Sequence, residues 1–312
     1  MVGLRVAPGR HHSGEVVVVD IGIPSPVAVD AAAWLLGQGV LQEIPAKAPQ
    51  LDKYRSGATL VIGGAPGLSG AVRMAAEGAL RAGAGLCVAV VPEVVQPVCA
   101  TSVPEVMFAP APGAELGPPA MEEILHQAER VGAVAVGPGM GRASPTRALV
   151  GAVLQSLALP MVVDADALFH LAEDETPLAA RAAPTILTPH SGEAARLLGW
   201  ERERVEAERL NAATTLAERS GATVLLKGAG TVVAEPGGPL LVNGVDSPAL
   251  ATAGSGDVLT GILVALLAKG MTAAAAAGAG VVLHGLAGQA LPGDGATARD
   301  LLSALPGVVG AR

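Results

Sequence analysis

Thr185-Ile186-Leu187-Thr188-Pro189-His190-Ser191-Gly192-Glu193-Ala194-Ala195-Arg196-Leu197-Leu198 passes from a short apolar run, through a proline turn, into an alanine- and leucine-rich stretch. It reads as one strand, Thr185 to Leu187, and one helix, Gly192 to Leu198, joined by a turn that proline presets. The same alternation fills most of the chain and predicts repeated βα units on a mostly parallel sheet. Further strands are expected at Thr59 to Ile62, Leu86 to Val91, Ala133 to Val136, Met161 to Val163, Thr223 to Leu226, Thr231 to Ala234 and Leu240 to Val242. Further helices are expected at Gly70 to Ala82, Pro119 to Arg130, Thr146 to Ser156, Arg204 to Ser220, Asp257 to Ala268 and Thr272 to Leu291. The fold class is therefore α/β, a central, mostly parallel sheet flanked by helices on both faces.

Composition agrees with that class. Of 312 residues 51% are hydrophobic, yet there are only two Trp, one Tyr and two Phe, so the core must be built from small aliphatic side chains. Such a core suits helices packed closely on a parallel sheet. A net charge of −8 without a basic run argues against a phosphate-neutralising nucleic-acid face. Cys87 and Cys99 lack metal-ligand spacing and read as buried hydrophobes. No signal-peptide pattern opens the chain, and the uncharged stretch from Lys269 to Gly293 is Ala- and Gly-rich. It reads as a packed helix rather than a membrane span, and the expected location is cytoplasmic.

Glycine turns fall where strands end or helices begin: Gly63 to Gly67, Gly137 to Gly139, Gly228 to Gly230 and Gly254 to Gly256. Open α/β sheets bind ligands at such places. Pro110 to Pro119 reads as a surface loop, and no linker divides residues 45–312. Residues 1–44 look different: a strand over Glu15 to Asp20, a break over Ile21 to Pro26, then a short helix-like stretch.

The strongest chemical signal is Ala251-Thr252-Ala253-Gly254-Ser255-Gly256-Asp257-Val258-Leu259-Thr260-Gly261. A glycine turn here opens an apolar helix, so Gly254, Ser255 and Gly256 form a candidate anion hole from unpaired amides and the helix dipole. Asp257 at that spot either accepts a hydroxyl proton or only caps the helix. Lys227, ending the apolar run Val224 to Leu226, could hold phosphate together with the turn Gly228-Ala229-Gly230-Thr231, which otherwise is an ordinary hairpin. His190 stands at the strand's carboxyl edge, with Ser191 as the expected helix cap. Asp164 and Asp166 follow an apolar strand and could orient Mg²⁺ through water, or Asp166 could cap the next helix. Gly63 to Arg73 lacks both the Walker A lysine and the Rossmann glycine spacing.

Seven segments in order, GAVRMAAEGALRAGAGL (Gly70–Leu86), PEVM (Pro104–Met107), VGPGMGR (Val136–Arg142), VVDADAL (Val162–Leu168), LTPHSGEAARL (Leu187–Leu197), LLKGAGT (Leu225–Thr231) and ATAGSGDVLTGIL (Ala251–Leu263), resemble the ADP-dependent NAD(P)H-hydrate dehydratase family. The resemblance covers about residues 45–305. It implies a ribokinase-like fold, ADP as phosphoryl donor, Mg²⁺ as cofactor and NADHX or NADPHX as substrate, with AMP, phosphate and NADH or NADPH as products. By motif position it assigns Ala71, Gly139, His190 and Asp257 to the hydrate, and Lys227, Gly228, Ala229, Gly230, Thr231 and Gly256 to the nucleotide. It further implies a homo-oligomer, a tetramer by analogy. The pattern departs from the family's at Ser191, Ala253, Asp246-Ser247 and Asp52-Lys53-Tyr54. Gly14 to Pro24 is similar to the closing strand of the hydrate epimerase domain that family members carry upstream, so residues 1–44 are expected to be a remnant of that domain without epimerase activity, and 1–25 to be dispensable. The alternative activity is that of a ribokinase-like small-molecule kinase, of hydroxyethylthiazole type, which shares the glycine turn and releases a stable phosphate ester.

Overall fold

The computed structural model describes residues 33–47, 50, 52–174, 178 and 181–311, with 4, 6, 9–14, 16–17, 19 and 22 ahead of them. Each apolar run anticipated above beyond residue 45 forms a strand, and two more join them. The strands are β1 (Ala33–Leu36), β2 (Ala58–Ile62), β3 (Leu86–Pro92), β4 (Met107–Ala111), β5 (Ala133–Val136), β6 (Met161–Val163), β7 (Thr185–Leu187), β8 (Thr223–Leu226), β9 (Val232–Ala234) and β10 (Leu240–Asn243). They make one sheet in the order β1-β10-β9-β8-β7-β6-β5-β2-β3-β4. Neighbours are parallel except at β9, which runs antiparallel to β8 and β10.

The helices are α1 (Ser69–Arg81), α2 (Gln96–Ala100), α3 (Met121–Ala128), α4 (Ser144–Ser156), α5 (Ala165–Leu171), α6 (Ser191–Leu198), α7 (Arg202–Ala207), α8 (Arg209–Ser220), α9 (Ser255–Ala268), α10 (Ala273–Gln289) and α11 (Ala298–Gly310). Side chains of a strand alternate between faces, and two cores follow. Val61 of β2 belongs to one core with Val72, Val258, Val282 and Leu301 of α1, α9, α10 and α11. Leu60 and Ile62 belong to the opposite core, with Ile124, Leu149 and Leu216 of α3, α4 and α8. Among the described residues no helix is long and apolar enough to cross a membrane. Cys87 and Cys99 are buried and free, and burial pushes the Cys87 thiol up to about 12.

Several elements differ from expectation for local reasons. The supposed loop at Pro110 begins inside edge strand β4, where Val91 pairs Pro110; an edge position tolerates a residue without an amide donor. The helix expected over Arg204 to Ser220 is two, α7 and α8, separated at Glu208 with φ −118° and ψ 40°. Helix α11 was masked in the sequence by Pro306 and Gly307, both poor helix residues. Ala-Trp-Leu-Leu of β1 carries no β-branched residue, so Trp34 alone favours a strand there.

The strand expected over Glu15 to Asp20 falls partly outside the described residues; of those described, Val17 and Val19 are exposed and in no strand. The helix-like stretch after Pro26 lies outside them as far as residue 32. From 33 onward the chain is part of this sheet: β1 pairs with β10, and Leu36, Leu41 and Ile44 are buried in the core of α9, α10 and α11. Val6 is buried too, in the opposite core.

One contact fixes the site's frame. Helices α1 and α9 approach so closely that a Cβ on Gly261 would lie 2.2 Å from the Ala75 carbonyl oxygen, and one on Gly78 would lie 2.9 Å from that of Val258. Two glycines thus let the helices that start at the sheet's carboxyl edge touch backbone to backbone.

Candidate active site

The loops after β2, β5, β6, β7 and β8 gather at the carboxyl edge of the sheet, as open α/β topology requires. Gly254 caps α9 with φ +88°, a conformation L residues rarely adopt, and turns the chain so that the helix start faces these loops. Of the three residues expected to form the anion hole, Ser255 is partly committed: its amide donates to the Thr252 carbonyl at 3.3 Å and its Oγ to that of Leu250 at 2.7 Å. The amides of Gly256 and Asp257 have no acceptor among the described residues, so the free donors lie one residue further along.

Beneath them sits an ionic cluster drawn from four elements, β6, β8, α6 and α9. Lys227 Nζ donates to Asp164 Oδ1 at 2.9 Å, and Thr260 Oγ1 of α9 donates to Asp164 Oδ2 at 2.6 Å. Glu193 Oε2 lies 4.0 Å from the same Nζ. Burial would raise the Asp164 pKa, but the Lys227 charge and three hydrogen bonds hold it below the usual carboxylate range. Burial likewise opposes the Lys227 charge, and the Asp164 and Glu193 carboxylates overcome it and raise its pKa. Asp257 lacks such a partner: burial, then the negative charge of Asp164, pushes its pKa up to about 7 against the pull of Lys227. A carboxyl poised there suits proton transfer at neutral pH. A Cβ on Gly256 would be 3.5 Å from Lys227 Nζ, so the cation stands beside the free amides.

Gly139 and Ala71, both assigned to the hydrate, come together: a Cβ on Gly139 would be 3.0 Å from that of Ala71. His190 corrects an expectation. It, rather than Ser191, caps α6, its Nδ1 accepting from the Gly192 and Glu193 amides at 3.0 and 3.2 Å while the His190 amide donates to Glu193 Oε2 at 2.8 Å. With Nδ1 an acceptor, a neutral ring carries its proton on Nε2 and remains a donor. Burial and the Lys227 charge lower its pKa, which favours that neutral form. Ser191 is buried, with its Oγ accepting from Arg209 at 3.2 Å.

On the other side of the α9 start lies a cavity of about 490 Å³ lined by Lys227, Gly228, Ala229, Thr231, Ser255 and Gly256, among others. Gly230 is not among its lining residues; its amide donates to Asp246 Oδ2 at 3.3 Å. Arg10, whose guanidinium donates to the same Asp246 carboxylate, also lines the cavity. So does His284, whose pKa burial pushes down to about 4, leaving the ring neutral.

Sequence reading missed Thr260, Arg209, Asp246, Arg10 and His284. Thr260 left a trace, since it lies one helical turn beyond Asp257 on the same face, and Asp246 stood out only as a departure from the family pattern. Arg209 is buried and donates to the carbonyls of Leu226 and Lys227 at 3.0 Å each, fixing the end of β8 and so the root of the Lys227 side chain.

Neither aspartate after β6 makes a side-chain cap. Asp166 accepts from the Gly141 amide and from Arg142 Nε, each at 3.0 Å, while both Asp164 oxygens are taken as described. Among the described residues no group of three His, Cys, Asp or Glu is placed to hold a metal ion.

A family model described as NAD(P)H-hydrate dehydratase matches residues 59–306. The bifunctional NAD(P)H-hydrate repair enzyme Nnr of Moorella thermoacetica is 41% identical over 298 residues, 92% of this chain and 55% of that protein. The enzyme of the same name from Salinibacter ruber is 39% identical over 330 residues, 100% of this chain and 60% of that protein. The chain thus spans between half and two thirds of the length of these relatives. Among solved structures, the ADP/ATP-dependent NAD(P)H-hydrate dehydratase of Bacillus subtilis, co-crystallised with ATP and Mg²⁺, superposes with a TM-score of 0.74 at 27% identity, covering 87% of this chain and 95% of that one. A ribokinase-like superfamily protein of Enterococcus faecalis has the same fold, with a TM-score of 0.78 at 23% identity over 90% of this chain and 96% of that one.

Proposed function

Because this chain belongs to the NAD(P)H-hydrate dehydratase family, we propose that it restores NADH and NADPH from their hydrates, with ADP as phosphoryl donor and Asp257 as general base. The observation that carries the reading is Asp257, raised to about 7 at a helix start with two free amides and within the field of Lys227, which itself lines the cavity. Hydroxide leaves poorly from a hydrated dihydropyridine, so its hydroxyl is first esterified. The hydroxyl oxygen attacks the terminal phosphorus of ADP, Asp257 takes the hydroxyl proton, and AMP departs. The amides of Gly256 and Asp257 and the Lys227 charge stabilise the negative charge on the transferring group. The ring nitrogen's lone pair then expels phosphate from carbon 6, and loss of a proton from carbon 5 restores the ring double bond.

The hydrate sits against Ala71, Gly139 and His190, whose Nε2 donates to it. ADP occupies the cavity along Lys227, Gly228, Ala229 and Thr231, with Gly230 holding Asp246. Arg10 is a further nucleotide contact. Mg²⁺, brought with the nucleotide, would screen the phosphate charge, and Asp164 and Asp166, whose oxygens already accept hydrogen bonds from the protein, would help to orient it through water. The catalytic unit takes in 33–44 as well as 45–312, which the β1–β10 pairing supports.

The test is to mix the purified chain with NADHX, Mg²⁺ and ADP or ATP and follow the absorbance of the reduced nicotinamide. Recovery of that band with AMP and phosphate formed from ADP is expected. A stable phosphorylated alcohol without NADH would instead assign a small-molecule kinase.

A further inference from the structure

Two arginines outside the machinery described so far share one aromatic ring. The guanidinium carbon of Arg142 lies 4.5 Å from the Phe169 ring centroid and that of Arg196 lies 4.6 Å from it. The two cations are thus within about 9 Å of each other, close to the Debye length in physiological salt. Attraction to the ring's π face holds each of them against their mutual repulsion. Only one has an anionic partner: Arg142 Nε donates to Asp166 Oδ1, whereas Arg196 pairs with no carboxylate among the described residues. Both arginines are exposed and the ring is half-buried. A chain of net charge −8 therefore keeps one uncompensated guanidinium beside a second, pre-placed by an aromatic surface.

The location ties this pair to the hydrate side of the site. Arg142 follows Gly139 by three residues and continues the loop whose Gly141 amide binds Asp166. Phe169 stands on α5, which starts at Asp164, and Arg196 on α6, which His190 caps. The Arg196 charge is felt at His190, and neither arginine lines the cavity along Lys227. Its last-turn position suits the α6 dipole, but a dipole does not draw the side chain onto a ring of another helix.

We propose that Arg142, Phe169 and Arg196 form an anion subsite for a phosphate of the hydrated dinucleotide, beyond the ring that reacts. The assignment rests on the substrate proposed above. Guanidinium forks match phosphate oxygens in pairs, and a ring-stacked fork loses little freedom on binding. A dinucleotide offers two sources of that group: the bridging pyrophosphate, present in both hydrates, and the ribose 2′-phosphate, present only in NADPHX.

Arg142→Gln and Arg196→Gln, assayed singly with NADHX, NADPHX and the phosphate-free hydrated nicotinamide riboside, test the subsite. Arg196→Gln should raise KM for a dinucleotide hydrate about five- to tenfold, with no matching change in KM for ADP. Equal losses for NADHX and NADPHX assign the pyrophosphate; a loss confined to NADPHX assigns the 2′-phosphate. Arg196→Lys should recover part of the loss. KM values within twofold of wild type for both dinucleotides, or an equal rise for the riboside, would overturn the subsite. If the wild-type chain turns over no hydrate, the proposed reaction fails, and the subsite is then read by calorimetry with NAD⁺ and NADP⁺. Weaker binding of either by Arg196→Gln supports it, and undetectable or unchanged binding overturns it.

Discussion

Lys227 and Asp164, sixty-three residues apart in sequence, close a 2.9 Å ion pair directly under the free amides of α9. The pair keeps Asp164 ionised, and an ionised Asp164 is one of the causes that keep Asp257 protonated up to about pH 7. Two carboxylates a short distance apart are thus pushed to opposite protonation habits by one lysine that bonds only the first of them.

A pH profile follows. Asp257 must be ionised to act as base, so kcat/KM for the hydrate should rise with pH through about 7 and level off above it. Asp257→Asn should lower kcat by about 10² to 10⁴ and leave ADP binding within a few fold. Turnover near the wild-type rate in that variant would remove Asp257 from its role.

The same residue carries a stability signature. Its folded pKa lies above the ordinary 3.8, so the native state binds more protons between about pH 4 and about pH 7, and stability falls as pH rises across that window. Asp257→Asn removes this cost. Its Tm advantage over wild type should grow from pH 4 to 7 and then stay constant, as thermal scans can show; an advantage independent of pH would contradict the raised pKa.

His190 caps α6 and is proposed to bond the hydrate, and substitutions can separate the two. Loss of its ligand hydrogen bond should raise KM for the hydrate by about two- to tenfold, more than KM for ADP. His190→Asp keeps an N-cap acceptor and should retain Tm, while His190→Ala also gives up the cap, worth about 1 kcal/mol. If both variants weaken hydrate and ADP equally, the histidine is structural.

Arg10 bears on the amino-terminal segment. Val6 is buried and Arg10 joins Asp246 at the cavity, which argues against treating residues 1–25 as dispensable. Arg10→Ala leaves the Asp246 carboxylate uncompensated near the phosphates and should raise KM for ADP about three- to tenfold. Initial rates at varied ADP measure it; an unchanged KM would restore the segment to a spectator.

How much of this was legible beforehand depended on whether partners are neighbours in sequence. Gly254 to Asp257 and Lys227 to Thr231 each carry their turn chemistry within a few residues, and eight of the ten strands announced themselves by β-branched runs. The bond from Thr260 to Asp164 spans ninety-six residues and joins a helix interior to a strand end, so no local pattern encodes it. Edge strands β1 and β4 were silent because Ala-Trp-Leu-Leu and Met-Phe-Ala-Pro-Ala, though wholly apolar, hold no β-branched residue, and a proline interrupts the second. His190 displaced Ser191 as cap because a ring nitrogen served where a hydroxyl is the usual acceptor.

The contact between α1 and α9 has a mechanical consequence. Ala71 rides on one helix and Asp257 on the other, and between Gly78 and Gly261 there is no side chain to change rotamer. The gap between Ala71 and Asp257, across which the proposed base and hydrate would face each other, is therefore set by a spacing of two peptide backbones, as stiff as the helices themselves. A methyl group inserted by Gly261→Ala, 2.2 Å from the Ala75 oxygen, would have to widen that spacing or break it, at about 1 to 3 kcal/mol of stability. Any variant that still folds would carry the wider gap into every turnover, and its rate should fall even though no group that touches either ligand has changed.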